Sequence, residues 1–74
     1  MAIVDVISEV TGTVWKIVAV VGQSLCEDDE VMVVESMKME IPVSMPSDGV
    51  IKEILVIESD AVQEGQVVAR IEEN

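Results

Sequence analysis

Apolar and polar residues alternate loosely along Ile3–Val10, and the same two-residue period returns in later segments. That period belongs to a strand with one buried face. Valine and isoleucine supply most of the apolar positions, and their branched side chains favour strands. No segment carries the 3.6-residue period of a long amphipathic helix. The pattern predicts strands over Ile3–Val10 and Gly12–Val20, a short piece around Leu25, Val31–Glu35, Glu40–Val43, Gly49–Ile57, a short piece around Val62, and Val67–Glu72. Pro46-Ser47-Asp48-Gly49 has turn composition, and Gly22-Gln23 and Glu64-Gly65-Gln66 mark further bends. The longest apolar run, Ile17–Val21, suits a buried strand and falls far short of the roughly 20 residues that span a bilayer.

A shift of 37 residues superposes the chain on itself without a gap. Gly12 falls on Gly49, Ile17 on Ile54, Glu27 on Glu64, Val31 on Val68 and Glu35 on Glu72. Between these identities the apolar character is kept, as in Val14 with Ile51 and Leu25 with Val62. Two units are too few for a solenoid, which needs about three or more. A closed or sandwiched pair of β units, each half covering the other, also removes exposed sheet edges. The expectation is one all-β domain over residues 1–74, with halves at about 4–37 and 41–74. Asp28 stands in the place of Gly65 and Ser59 in the place of Gly22. Aspartate tolerates positive φ better than most residues, so the first exchange is mild.

Composition narrows the chemistry. The chain has 74 residues, a formal net charge of −11, four basic residues and no histidine. Phosphate contacts require clustered lysine and arginine, so nucleic acid is an unsuitable partner, and an anionic membrane surface is unsuitable for the same reason. Without histidine the usual triads and imidazole acid–base chemistry are excluded. No Cys/His cluster offers a zinc site, and no glycine-rich loop resembles a phosphate cradle. The single cysteine, Cys26, reads as a small half-buried side chain. With no secretory leader visible at the N-terminus, it points to the cytoplasm. Trp15, the one aromatic residue, reads as partial core in the second strand.

Lys38 lies at the junction of the two halves, within Glu35-Ser36-Met37-Lys38-Met39-Glu40. Met37 and Met39 occupy a predicted hairpin tip, where polar residues are the rule. If exposed, they form an apolar patch beside a charge, of the kind that marks contact surfaces. The alternative is that both fold back onto the barrel end. A lysine that acts as a catalyst needs burial or a neighbouring cation. Lys38 has Glu35 and Glu40 nearby instead, which suits a substrate for modification by an enzyme that removes its proton.

This frame, its central position and the repeat resemble the biotinyl (biotin carboxyl carrier) domain of biotin-dependent carboxylases, in the biotin/lipoyl attachment superfamily. The family shares a Glu-Ser/Ala-Met-Lys-Met-Glu core and a Pro-x-x-Gly-x-Val-type turn, here Pro46–Ile51, and places its lysine roughly 35 residues before the C-terminus, where 36 follow Lys38 here. The likeness runs from about residue 4 to residue 73. It implies a flattened β-barrel or sandwich of two four-stranded antiparallel sheets with quasi-twofold symmetry. Lys38 would sit on a hairpin tip, with the termini toward the opposite end.

The resemblance further implies that a biotin protein ligase joins biotin to the Lys38 amine. Glu35, Ser36, Met37, Met39 and Glu40 would be read by the ligase and partners. The carrier, itself no enzyme, would take carboxybiotin from a biotin carboxylase to a carboxyltransferase acting on an acyl-CoA or related acceptor. The gapless repeat leaves no room for the inserted "thumb" of one bacterial acetyl-CoA carboxylase type, so a small thumbless carrier is expected, freestanding or cut from a longer chain. Two other readings stand beside it. A lipoyl carrier of a 2-oxoacid dehydrogenase or glycine-cleavage type system shares the fold, although lipoyl domains usually frame their lysine as Asp-Lys-Ala. An unmodified β interaction module would leave the methionine-framed lysine without a role.

Overall fold

A computed structural model describes residues 2–74. Their eight strands are β1 (Ile3–Ile7), β2 (Gly12–Ile17), β3 (Ser24–Leu25), β4 (Glu30–Ser36), β5 (Met39–Ser44), β6 (Gly49–Ile54), β7 (Ala61–Val62) and β8 (Val67–Glu73). They form two four-stranded antiparallel sheets, in the orders β1-β8-β6-β3 and β5-β4-β2-β7. The described residues contain no helix, and none long and apolar enough to cross a membrane.

The 37-residue repeat appears in space as a quasi-twofold operation. It carries β1 to β5, β2 to β6, β3 to β7 and β4 to β8, and so turns one sheet order into the other. Each sheet takes two strands from each half, so neither half has a sheet of its own. The core lies between the sheets and is aliphatic: Val14, Met32, Val34, Met45, Ile51 and Ile71 are all fully buried. β4 buries four successive residues, Val31–Val34, because it is central in its sheet and covered along its length.

The symmetry extends to the turns. Four share one design, over Val20–Gln23, Cys26–Asp29, Ile57–Asp60 and Gln63–Gln66. In each, the fourth residue's N–H donates to the first residue's carbonyl at 3.0–3.1 Å. The third residue has positive φ: Gly22 92°, Asp28 74°, Ser59 81° and Gly65 87°. A positive φ at that position alone marks a type II turn. The fourth side chain then accepts the first residue's N–H, through Gln23 Oε1, Asp29 Oδ2, Asp60 Oδ2 and Gln66 Oε1 at 2.9–3.1 Å.

Several strands are shorter than the hydrophobic pattern predicts. β2 ends at Ile17 rather than Val20, because the N–H groups of Val18 and Ala19 both donate to the Val31 carbonyl, at 3.0 Å each, and the chain leaves the sheet. The run Ile17–Val21 is therefore a crossing between sheets rather than a buried strand. Only Ala19 in it is buried, and Val18, Val20 and Val21 are exposed. β6 likewise ends at Ile54 rather than Ile57, with the Leu55 N–H on the Val68 carbonyl. β1 ends at Ile7, after a register shift between Val6 and Ile7.

Trp15 is not partial core. It is 52% exposed, because the pairing of β2 with β4 slips between Val14 and Lys16 and leaves Trp15 as the unpaired bulge residue. A bulge interrupts the inward–outward alternation, so Trp15 and Lys16 both face solvent. Lys52 occupies the matching bulge in β6. Cys26 is exposed rather than half-buried, since it begins one of the four turns.

Candidate functional site

β4 and β5 are joined by two residues, Met37 and Lys38, beyond the last cross-strand pair Ser36↔Met39. Both linking residues have positive φ, 51° for Met37 and 64° for Lys38. That combination marks a type I′ hairpin turn, whose sequence preference is Asn-Gly. Methionine and lysine have no intrinsic liking for left-handed backbone, at about 1–2 kcal/mol per residue. Strained backbone of this kind gathers at functional positions.

The side chains stand free of the barrel. Lys38 is exposed, Met37 is 93% exposed and Met39 63%. The methionines therefore do not fold back, and the apolar patch beside a charge is what the structure contains. Glu35 and Glu40 face each other as a direct cross-strand pair below the tip, both exposed. Like charges in that relation oppose pairing, so the turn is not built for stability alone. Among the described residues no carboxylate comes within ion-pair distance of Lys38, whereas Lys52 pairs with Glu72 and Arg70 with Asp5 and Glu53.

The stem beneath the tip is fixed on one side. Ser36 Oγ donates to the Thr11 carbonyl at 2.8 Å, and Thr11 Oγ1 accepts the Glu64 N–H at 3.0 Å. Gly12 packs its backbone against the Glu35 carbonyl so closely that a Cβ there would overlap it. β5, on the other side, is a sheet edge. It carries Pro42, which has no N–H to offer an incoming strand. The six residues singled out in the sequence, Glu35 to Glu40, thus form one exposed tip and the last two pairs of its stem. The clamp by Thr11 and Gly12 was not among them. Gly12 carried a signal, as one of the few identities between the halves, but nothing in the sequence pointed to Thr11.

Elsewhere the chain offers little chemistry. Among the described residues no group of three or more His, Cys, Asp or Glu side chains could hold a metal ion. An open groove of about 540 Å³ runs between the edge strands β1 and β5, lined by residues such as Asp5, Glu9, Ile41 and Pro42. It holds no nucleophile set beside a base, and Lys38 does not line it.

Comparison with known proteins bears on this tip. The model of a family described as "biotin-requiring enzyme" matches residues 2–71. The chain is 36% identical over 63 residues to a biotin/lipoyl attachment protein of Bacillus subtilis (strain 168), covering 85% of this chain and 86% of that one. It is 42% identical over 60 residues to the alpha3 subunit of a biotin-dependent acyl-coenzyme A carboxylase of Mycobacterium leprae (strain TN), covering 81% of this chain but 10% of the subunit. Among solved structures, the urea carboxylase of Kluyveromyces lactis superposes with a TM-score of 0.91 and 37% identity over 96% of this chain, which is 6% of that enzyme.

Proposed function

The chain belongs to the biotin/lipoyl attachment family, and from that premise we propose that it is a biotin carboxyl carrier modified on Lys38. One observation carries this reading: the Lys38 amine stands exposed on a two-residue turn between two exposed methionines, with no ion pair among the described residues. These residues fit a covalently attached group. The tip gives an enzyme open approach to the amine, and leaves room for an arm to move once it is joined. When bound, biotin supplies a ring that takes up a carboxyl group at one enzyme site and releases it at another.

The chain's own residues supply the rest. Lys38 presents its amine to a biotin protein ligase. Met37 and Met39 offer apolar, adaptable contact to ligase and partner surfaces. Glu35 and Glu40 give the tip a charge that basic partner residues can read. Ser36, through its bond to Thr11, keeps the stem in place while the tip is handled. The acidic charge of −11 favours approach to basic surfaces. The partners in this reading are a biotin carboxylase and a carboxyltransferase acting on an acyl-CoA or related acceptor, and the setting is the cytoplasm. The tether confines the attached ring near both sites and so raises its effective concentration. The same reading takes residues 1–74 as one domain with halves 4–37 and 41–74, supported by sheets that each draw strands from both halves.

Incubation with purified biotin protein ligase, ATP and biotin tests this. The unaltered protein is expected to take up one biotinyl group. Lys38→Arg keeps the positive charge but lacks the amine, so it should melt within a few degrees of the parent and take up none. Labelling that survives the substitution would move the attachment site elsewhere.

A further inference from the structure

We propose that Met37 and Met39 are reversible oxidation sites, and that their sulfoxides block attachment at Lys38. This rests on the function proposed above and adds a control to it. The observation is a division among the methionines. Met32 and Met45 are sealed in the core at 0% and 1% exposure, while Met37 and Met39, on either side of Lys38, stand at 93% and 63%. A small peroxide reaches the second pair directly and the first only when the barrel opens. Neither exposed side chain is needed to hold the fold together. The stem below them is kept by strand pairing and by the Ser36–Thr11 bond.

The chemistry is self-contained. The thioether sulfur attacks one oxygen of hydrogen peroxide, the O–O bond breaks, the sulfur keeps that oxygen as a sulfoxide, and water leaves. Sulfur loses two electrons and the peroxide gains two. Methionine sulfoxide reductase reverses the change with a thiol donor, which becomes a disulfide as the oxygen departs in water. Each oxidised side chain exchanges an adaptable apolar surface for a strong hydrogen-bond acceptor. A surface that recognises thioethers by apolar contact must then bury that oxygen without a partner. Two such changes flank the one amine to be modified.

The test uses the full chain carrying Cys26→Ser, because the exposed thiol of Cys26 would also react. After graded hydrogen peroxide treatment, peptide mass mapping should find oxygen on Met37 and Met39 about tenfold or more faster than on Met32 and Met45. The rate at which ligase labels Lys38 should fall about tenfold or more. The melting temperature should stay within a few degrees, and reductase treatment should restore labelling. With Met37→Leu and Met39→Leu together, peroxide should leave the labelling rate unchanged. Unaltered labelling with both sulfoxides present would overturn the proposal. So would equal oxidation of Met32, Met37, Met39 and Met45, or a loss of labelling that the reductase does not reverse. If the untreated protein accepts no biotin, the function proposed above falls and this inference falls with it.

Discussion

Ser59 and Gly22 hold the same place in the two halves and adopt the same backbone, at φ 81° and 92°. Glycine takes that conformation freely, while a residue with a Cβ is disfavoured there by roughly 1–2 kcal/mol. Ser59→Gly is therefore expected to stabilise the protein by about 0.5–1 kcal/mol, after allowing for the added freedom of the unfolded chain. A thermal melt should show a rise of a few degrees, and an unchanged or lower Tm would mean that Ser59 makes a compensating contact. Residue by residue, the sequence was most legible where chemistry was unusual. Lys38 stood out by its methionines and by its place between the halves. Trp15 was misread because a single unpaired residue in β2 breaks the alternation on which a burial reading depends. Ser59 could not be judged because its conformation is imposed by the turn rather than chosen by the residue.

Among the elements, the hairpin and its neighbour β2 provide a controlled comparison. Gly12 and Gly49 are equivalent in the repeat, and each packs against the backbone carbonyl of an equivalent glutamate, Glu35 or Glu72. A methyl group at either position forces strands apart, at about 1–3 kcal/mol. Gly12→Ala and Gly49→Ala should thus lower the Tm by similar amounts. Glu35 lies in the stem of the Lys38 hairpin and Glu72 in β8, so only Gly12→Ala should also slow labelling of Lys38 by a ligase. Equal labelling of both variants would show that the clamp on the stem has no bearing on the tip. At this scale all eight strands were legible from period and turn composition, the two-residue β3 and β7 included. Their ends were not. Backbone bonds made just past the strands decide where β2 and β6 stop: the Val18 and Ala19 N–H groups share the Val31 carbonyl, and the Leu55 N–H takes the Val68 carbonyl. The side-chain acceptors at Gln23, Asp29, Asp60 and Gln66 were equally hidden, since each looks like an ordinary polar loop residue.

For the whole molecule, the consequence of the repeat is interdependence. The sheet β1-β8-β6-β3 takes its first and last strands from one half and its middle strands from the other. Separate peptides covering residues 1–37 and 38–74 should therefore be unfolded by circular dichroism, because neither can complete a sheet or bury its apolar face. Mixed in equal amounts, they should recover β signal. A peptide that folds alone would contradict the interleaved topology. The family resemblance anticipated two four-stranded antiparallel sheets with quasi-twofold symmetry, and the repeat alone anticipated a closed or sandwiched pair of halves; the interleaved strand order was in neither reading. Neither the repeat nor composition says which acceptor a carrier serves, since that choice belongs to a partner surface.

The most direct test of the central claim is the intact mass of the protein made in cells containing both biotin and lipoate ligases, followed by peptide fragmentation to locate any adduct. The account predicts one biotinyl group, on Lys38. A lipoyl group on Lys38 would keep the tip as an attachment site but contradict the carboxyl-carrier reading, and an unmodified Lys38 would contradict the attachment function itself.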